Sequence, residues 1–175
     1  MSPSAIYLVR HCHAQARDGW TGNDDDRPLT ARGTKEAVAI VSRFDVGELR
    51  GVRSDSVAPR LEPAPRLLLS SAAKRCLTTL EPLASASGLP VTTAGFLAEG
   101  SDAAQAVQRL KDLAAERESV VACSHGDVIW AILELLSGDG AAQDGQLDVK
   151  KGSIWVLESE SGRVTPTRYI PPGRV

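Results

Sequence analysis

Residues 5–14, AIYLVRHCHA, decide the fold prediction, because an uninterrupted apolar run ends there in a cluster of reactive side chains. The run from Ala5 to Val9 is typical of a β-strand that is covered on both faces of a sheet. An arginine, two histidines and a cysteine follow it. Two interpretations are open at this point. Histidine and cysteine are common zinc ligands, whereas an arginine directly before a histidine favours a phosphate site.

Two more buried strands with polar ends follow along the chain. RLLLSS precedes a helical segment, AAKRCLTTLEPLASASG, which Gly88 closes, and ESVVACSHG precedes the nearly all-apolar helix DVIWAILELL. Strands that alternate with helices predict an α/β fold, a three-layer α/β/α sandwich with a mostly parallel central sheet. Ligands bind to such sheets where the carboxyl ends of strands meet the following helices. We therefore expect Arg10, His11, Arg75 and His125 to lie together at that edge.

Weaker signals predict the remaining elements. Thr30 is placed to cap a helix over about 34–44, and Pro82 is expected to kink or restart the helix that contains it. A further helix is predicted over 102–116, and 47–65 reads as a surface loop. SIWVLES and GRVTPTRYI are predicted to pair as two closing strands.

The composition is that of an ordinary globular protein. Of its 175 residues, 42% are hydrophobic and 24% are charged, and we expect one domain that spans residues 1–175. A formal net charge of −2 gives no sign of nucleic-acid or membrane binding. The N-terminal apolar run is too short for a signal or membrane-spanning segment. Three cysteines without close pairing argue against a disulfide framework, so a cytoplasmic location is expected.

The remaining residues favour the phosphate interpretation over the metal one. None of the His and Cys spacings matches a recurrent zinc pattern, and Arg10 and Arg75 would repel a cation. Two guanidinium groups match phosphate oxygens, and helices that start near Ser71 and Gly126 would direct their amide ends into the same crevice. Positive charge nearby keeps an imidazole neutral, so that it can attack phosphorus. We expect no metal and no other cofactor.

Five segments resemble one family, in the same order along the chain. LVRHCHA resembles the RHG signature of the histidine phosphatase superfamily, branch 1, whose members have a phosphoglycerate mutase-like fold. RPLTARGTKEA is similar to the RPLT–x–x–G segment of the short members, SSAAKRCLTT to the segment with the second arginine, and CSHGD to that with the second histidine. The closing KKGSIWVLE resembles their final strands. The chain as a whole resembles short, SixA-like members and the domain fused to Nudix hydrolases in actinobacteria.

The resemblance implies a role for each candidate residue. His11 is the residue that becomes phosphorylated, and Arg10, Arg75 and His125 complete the phosphate pocket. Glu99, in FLAEG, is the acid that protonates the leaving group. The implied activity is metal-independent hydrolysis of phosphoric monoesters, of the histidine acid phosphatase type, through a phosphohistidine intermediate.

Several positions depart from the family pattern or leave alternatives open. Asp102, three residues after Glu99, is a second candidate for the acid. Arg17 stands where larger members place an asparagine, and it either adds a third phosphate-binding guanidinium or is a solvated loop residue. His13 is expected at the rim rather than in the pocket. Trp130, within an apolar helix, is expected in the core.

The cysteines raise a separate question. Cys12, Cys76 and Cys123 each lie within two residues of a predicted pocket residue. Arginine nearby lowers a thiol pKa, which favours the hypothesis that peroxide reversibly inactivates the enzyme. The alternative is that small buried residues simply suit crowded strand ends.

The sequence leaves the substrate open. It lacks the larger insertions that mutase-type members place around the site, so hydrolysis is favoured over phosphoryl transfer. The SixA likeness implies a phosphohistidine protein or a phosphorylated small molecule as partner. The Nudix-associated likeness implies a nucleotide or nucleoside diphosphate. A non-catalytic phosphate-binding module is the third hypothesis, which the pair of histidines disfavours.

Overall fold

The computed structural model describes residues 4–44, 60–116, 118–138 and 147–173. Most of the surface loop predicted at 47–65 lies outside these ranges, and Leu61, which lies inside them, is buried in the core. The strands within the described ranges are β1 Ser4–Arg10, β2 Leu67–Ser70, β3 Val91–Thr93, β4 Val120–Ser124, β5 Ile154–Glu160 and β6 Arg163–Ile170. The α-helices there are α1 Ala31–Val41, α2 Lys74–Ser87, α3 Ala103–Ala115 and α4 Gly126–Ser137. None of these four helices is long and apolar enough to cross a bilayer.

The six strands form one sheet in the order β3-β2-β4-β1-β5-β6. The pairs β1–β4, β4–β2 and β2–β3 are parallel, whereas β5 joins β1 and β6 through antiparallel pairs. The prediction of a mostly parallel sheet is therefore confirmed. The predicted pairing of the two closing segments is observed between β5 and β6.

Successive residues of β1 enter two different cores. Ala5, Tyr7 and Val9 pack in the apolar cluster that contains the buried faces of α1 and α2, whereas Ile6 and Leu8 pack in the cluster of α3 and α4. Burying each large apolar side chain stabilises the fold by about 1.5–3 kcal/mol. The result is the predicted three-layer α/β/α sandwich. Because both faces of β1 are covered, its sequence is apolar without alternation.

The helices follow the sequence prediction with two differences. α1 begins at Ala31, three residues before the predicted start, because the Thr30 hydroxyl accepts a hydrogen bond from an amide of the first turn at 3.1 Å. α2 continues through Pro82, so the predicted restart does not occur. Leu80 and Leu83 are fully buried on either side of this proline, and their burial outweighs the hydrogen bond that proline removes. α3 matches its predicted range to within one residue.

The register of the parallel strands fixes where the polar side chains emerge. Arg10 of β1 lies opposite Ser124 of β4, and Ser70 of β2 lies opposite Cys123. The amide of residue 11 then donates to the Ser124 carbonyl, and that of residue 71 donates to the Cys123 carbonyl, both at 3.0 Å. Three strands thus end at the same level, which brings residues 11, 71 and 125 to one edge of the sheet.

Candidate active site

An open cleft of about 730 Å³ lies at the carboxyl ends of β1, β2 and β4. All six residues that the sequence predicted for the site line it: Arg10, His11, Arg17, Arg75, Glu99 and His125. They come from five separate parts of the chain. The common strand ends and the helices that follow them bring them together.

His11 is held in the form that a nucleophile requires. The side chain is 6% exposed, and its Nδ1–H donates to the Cys12 carbonyl oxygen at 2.8 Å. The lone pair is therefore on Nε2. Burial lowers the pKa of His11 to about 3; the charges of His125, Arg75 and Arg10 act in the same direction, and the Cys12 hydrogen bond opposes them. The ring is neutral at neutral pH, as attack on phosphorus demands.

His125 stands beside His11 at the start of α4. The two ring centroids are 5.5 Å apart, with planes inclined at 63°. Nδ1 of His125 lies 3.3 Å from Nη2 of Arg75. Because a guanidinium only donates, Nδ1 is the acceptor and Nε2 carries the proton, which it donates to the Ser71 hydroxyl at 2.9 Å. The orientation of the ring is thus fixed from both sides.

Arg75 is completely buried, and carboxylates partly neutralise it. Its Nη1 donates to the Asp24 carbonyl oxygen at 2.7 Å, and its Nη2 donates to Glu99 Oε2, also at 2.7 Å. The Asp24 carboxylate lies 3.1 Å from the same Nη2. Nε of Arg75 is buried without a hydrogen-bond partner. A buried guanidinium with one unused donor, in the wall of a cleft, is suited to an anionic ligand.

Arg10 is half-buried and also has an unused donor. Its Nη1 donates to the Val149 carbonyl, and its Nε is buried without a partner. The guanidinium packs directly over Gly126, where a Cβ would lie 2.9 Å from both Cζ and Nε. Glycine at the first position of α4 therefore allows Arg10 to approach the start of the helix. Burial lowers the pKa of Arg10, which remains a cation.

Glu99 lies in the cleft, whereas Asp102 is engaged elsewhere. The Glu99 carboxylate accepts hydrogen bonds from Arg75 and Arg17, and its Oε2 lies 3.9 Å from Nδ1 of His125. Asp102 is the N-cap of α3, and its carboxylate accepts from the Ala104 amide at 2.8 Å. It is not part of the cleft wall. Of the two acids that the sequence left open, Glu99 is the one in position to meet a leaving group.

Arg17, for which the sequence left two interpretations open, lines the cleft and is engaged with carboxylates, and its part in phosphate binding stays a prediction. Its side chain is 64% exposed, yet it bridges two carboxylates, donating to Asp24 at 2.9 Å and to Glu99 at 3.0 Å. The hydrogen bonds with Asp24 and Glu99 raise the pKa of Arg17. Arg17 and Arg27 in turn hold the pKa of Asp24 well below its usual range. Arg17 therefore orients Glu99 at the mouth of the cleft.

The RPLTARG segment fixes the chain that follows His11. The amide and the hydroxyl of Thr30 both donate to the His13 carbonyl, at 2.9 and 3.2 Å. A Cβ at Gly33 would overlap the same carbonyl oxygen, so this position of α1 excludes any side chain. The His13 amide donates to Glu36 at 2.8 Å. Hydrogen bonds thus hold the backbone of His13 beside the site, and His13 does not line the cleft.

The structure also adds residues that the sequence analysis missed. Asp24 lies just before the RPLTARG segment, where the sequence analysis names no site residue, and Lys151 lies in a segment noted only for its strand. Trp130 was predicted in the core, and that prediction is wrong, because its side chain is 46% exposed and lines the cleft. α4 buries the face that carries Ile129 and Leu133, and Trp130 lies outside that face. Spacing along α4 could have indicated this.

The metal interpretation finds no support within the described ranges, where no three His, Cys, Asp or Glu side chains are placed to hold an ion. The three cysteines, Cys12, Cys76 and Cys123, are free and fully buried. A hydrogen bond with Cys123 lowers the pKa of Cys76, whose Sγ lies 3.6 Å from Nε2 of His125. Burial raises the pKa of Cys12 to about 12. Inactivation by peroxide stays a prediction.

Comparison with a curated protein points to phosphatases. The 8-oxo-(d)GTP phosphatase of Mycolicibacterium smegmatis is 29% identical over 170 residues, which make up 95% of this chain and 48% of that protein. The chain therefore spans about half the length of this relative.

Comparison with solved structures confirms the phosphoglycerate mutase-like fold. The protein histidine phosphatase SixA complexed with tungstate aligns with a TM-score of 0.71 at 22% identity, over 96% of this chain and 97% of that one. A mycobacterial glucosyl-3-phosphoglycerate phosphatase gives 0.66 at 16% identity, over 94% and 96%. The alpha-ribazole phosphatase from Shigella flexneri gives 0.63 at 20% identity, over 93% and 94%.

The family assignment rests on more than fold. The sequence profile of the histidine phosphatase superfamily (branch 1) matches residues 6–103, which is more than half of the chain and includes His11, Arg75 and Glu99. The family and the named relative support phosphatase activity. With its motifs in order, its strand ends aligned and its profile matched, the chain belongs to the histidine phosphatase superfamily, branch 1.

Proposed function

We propose that this protein is a metal-independent phosphatase that hydrolyses phosphomonoesters or phosphohistidine through a phosphohistidine intermediate on His11. One observation carries the proposal. The unprotonated Nε2 of His11 belongs to a cleft that the guanidinium groups of Arg10 and Arg75 line, and each of these groups has a buried Nε–H without a hydrogen-bond partner. A nucleophile beside two unsatisfied cationic donors is the arrangement that phosphoryl transfer requires.

The first step forms the intermediate. Nε2 of His11 attacks phosphorus, and the bond from phosphorus to the leaving oxygen breaks, its electron pair staying on that oxygen. Arg10 and Arg75 stabilise the negative charge on the other phosphoryl oxygens, and His125 joins them in the tautomer that carries its proton on Nδ1, with Nε2 accepting from the Ser71 hydroxyl. Glu99, protonated when substrate binds, gives its proton to the leaving oxygen.

The second step releases phosphate. Water attacks the phosphorus of the phosphohistidine, and the bond between phosphorus and Nε2 of His11 breaks. The Glu99 carboxylate takes a proton from that water, which restores the acid for the next cycle. The Nδ1–H bond to the Cys12 carbonyl persists throughout, so the ring returns to the same tautomer and orientation.

This mechanism is compatible with two classes of substrate. The likeness to SixA structures, a likeness of fold, favours a phosphohistidine protein, and the open mouth of the cleft suits a bulky substrate. A second candidate, a nucleotide, is favoured by the 8-oxo-(d)GTP phosphatase relative and by Trp130. With Leu147 and Val149, Trp130 gives one wall of the cleft an aromatic and aliphatic surface on which a flat base can pack.

The test compares wild type with His11→Asn, each measured with p-nitrophenyl phosphate in excess chelator. The asparagine amide can still donate to the Cys12 carbonyl, so the variant removes the nucleophile while keeping the local hydrogen bond. We expect chelator-resistant turnover in wild type and none in the variant. A quenched reaction should contain acid-labile, alkali-stable phosphoprotein only in wild type.

Loss of wild-type activity on chelation, or equal turnover in both proteins, would overturn the mechanism. Phosphate binding without any turnover or phosphoprotein would support the non-catalytic module.

A further inference from the structure

Lys151 differs from the other cations of the cleft in having no partner. Among the described residues its ammonium makes no hydrogen bond and no ion pair, although it lines the cleft beside Arg10 and His11. The preceding residue, Lys150, does form an ion pair, with Asp148 at 3.3 Å.

The other cleft cations are already engaged. Arg17 and Arg75 bind carboxylates, and Arg27 donates to Asp24 and to the Gln15 carbonyl. Lys151 is instead close enough to Arg10, Arg27 and Arg32 for their charges to lower its pKa, burial being the largest cause. Glu36 attracts it, but that carboxylate is occupied by Arg32 and the His13 amide. Among the described residues, the cations whose charges act on Lys151 therefore outnumber the one carboxylate that does, that of Glu36.

The backbone holds Lys151 at a fixed place relative to the nucleophile. The amide of Gly152 donates to the carbonyl oxygens of Arg10 and His11, at 3.1 and 3.3 Å, and the Arg10 amide donates to the Ser153 carbonyl. Gly152 has a φ of +76°, which favours glycine in this turn. The turn at Gly152 thus attaches the lysine to the strand end that carries His11.

We propose that Lys151 binds a second phosphate group, one carried by the leaving group of the substrate, while Arg10, Arg75 and His125 hold the phosphoryl group that His11 attacks. The inference deepens the proposed function and rests on it. Of the two substrate classes above, it favours the small molecule over the phosphohistidine protein, and it assigns that molecule two phosphate groups, either linked as a diphosphate or separate. Phosphate is favoured over carboxylate because a dianion better compensates a region surrounded by several cations.

Binding measurements test this without depending on turnover. The probes are inorganic phosphate, methylenediphosphonate, which resists hydrolysis and carries a second phosphonate, and phosphonoacetate, which carries a carboxylate in its place. Dissociation constants are measured by titration calorimetry for wild type, Lys151→Met, Lys151→Arg and the matched control Lys150→Met. Thermal unfolding verifies that each variant is folded. Competition between 1,3-propanediol bisphosphate and methylenediphosphonate distinguishes a separate second phosphate from a linked one.

Wild type should bind methylenediphosphonate about tenfold or more tightly than phosphate, as expected of one added charge-assisted contact. Lys151→Met should lose most of that preference with its phosphate affinity changed less than about threefold, whereas Lys151→Arg and Lys150→Met should keep it. No preference in wild type, or an unchanged preference in Lys151→Met, would overturn the inference. So would an equal loss for both probes, or a stronger dependence on Lys151 with phosphonoacetate. Turnover of p-nitrophenyl phosphate, followed in parallel, reports on the proposed function alone.

Discussion

Oε2 of Glu99 lies 2.7 Å from Nη2 of Arg75, so in the free protein the carboxylate of the proposed acid occupies a donor that a phosphoryl group needs. The second oxygen of Glu99 is held by Arg17 at 3.0 Å. Substrate must therefore displace Glu99 from Arg75, while Arg17 can keep the carboxylate at the mouth of the cleft. The same displacement brings Glu99 beside the bound phosphoryl group, where the proposed proton transfer takes place.

Glu99→Gln should separate catalysis from phosphate binding. Without the acid, kcat for an alkyl phosphate, which has a poor leaving group, should fall by about 10²–10⁴-fold, and kcat for p-nitrophenyl phosphate should fall far less. Inhibition by inorganic phosphate should strengthen, because a competing negative charge has left the pocket. Steady-state kinetics with both esters and with phosphate as inhibitor measure these effects.

Asp102→Ala is the control for that experiment, since Asp102 was the other candidate acid. Loss of the α3 cap should lower the free energy of unfolding by about 0.5–2 kcal/mol and leave the ratio of the two kcat values unchanged. A leaving-group dependence that appears in Asp102→Ala and not in Glu99→Gln would reverse the assignment.

The pKa of His11 predicts a pH dependence of stability. In the unfolded chain His11 takes up a proton near pH 6.5, whereas burial delays this in the folded protein to about pH 3. The unfolded state therefore binds more protons between these values, and stability falls as pH decreases through that window. Wild type should lose on the order of 2 kcal/mol more than His11→Asn between pH 7 and pH 5. Urea titrations at several pH values measure the difference; parallel curves for the two proteins would contradict it.

Gly126→Ala should impair activity without impairing stability. The new Cβ would lie 2.9 Å from Cζ and Nε of Arg10, so the guanidinium must move away from the phosphate position. Displacement of about 1 Å at such a group costs up to about 10²-fold in kcat/KM. Alanine is a better helix former than glycine, which works against any loss of stability. The control is Gly95→Ala, where a Cβ meets no atom within 4 Å, and it should retain full kcat/KM.

Gly33→Ala, in contrast, should impair stability. Its Cβ would overlap the His13 carbonyl oxygen, which is backbone and cannot rotate aside, so α1 must shift. We expect a loss of about 1–3 kcal/mol in the free energy of unfolding, comparable to overpacking a core. Chemical denaturation measures it, again with Gly95→Ala as reference. Unchanged stability in Gly33→Ala would show that α1 does not rest on this contact.

Much of the fold was readable from the sequence because its signals are local. The apolar run before Arg10, the Thr30 cap and the motif around His125 each depend on residues within a few positions of one another. The prediction that the helix restarts at Pro82 was wrong, because it rested on the cost of a proline, which is a property of that residue alone. The burial that offsets this cost comes from contacts with residues that are distant in the sequence.

The sequence by itself determined the strand–helix order, the family and which residues meet in the cleft, since hydrophobic patterning and strand ends are properties of short segments. Only the tertiary structure decided that Asp24 binds Arg75 across 51 positions, that Trp130 faces the cleft, and that Lys151 lines the cleft with His11 without a partner among the described residues. These relationships depend on how turns and loops are held by the sheet register and by backbone bonds between remote strands. No local pattern encodes the distance between two such side chains, because packing of the whole domain sets it.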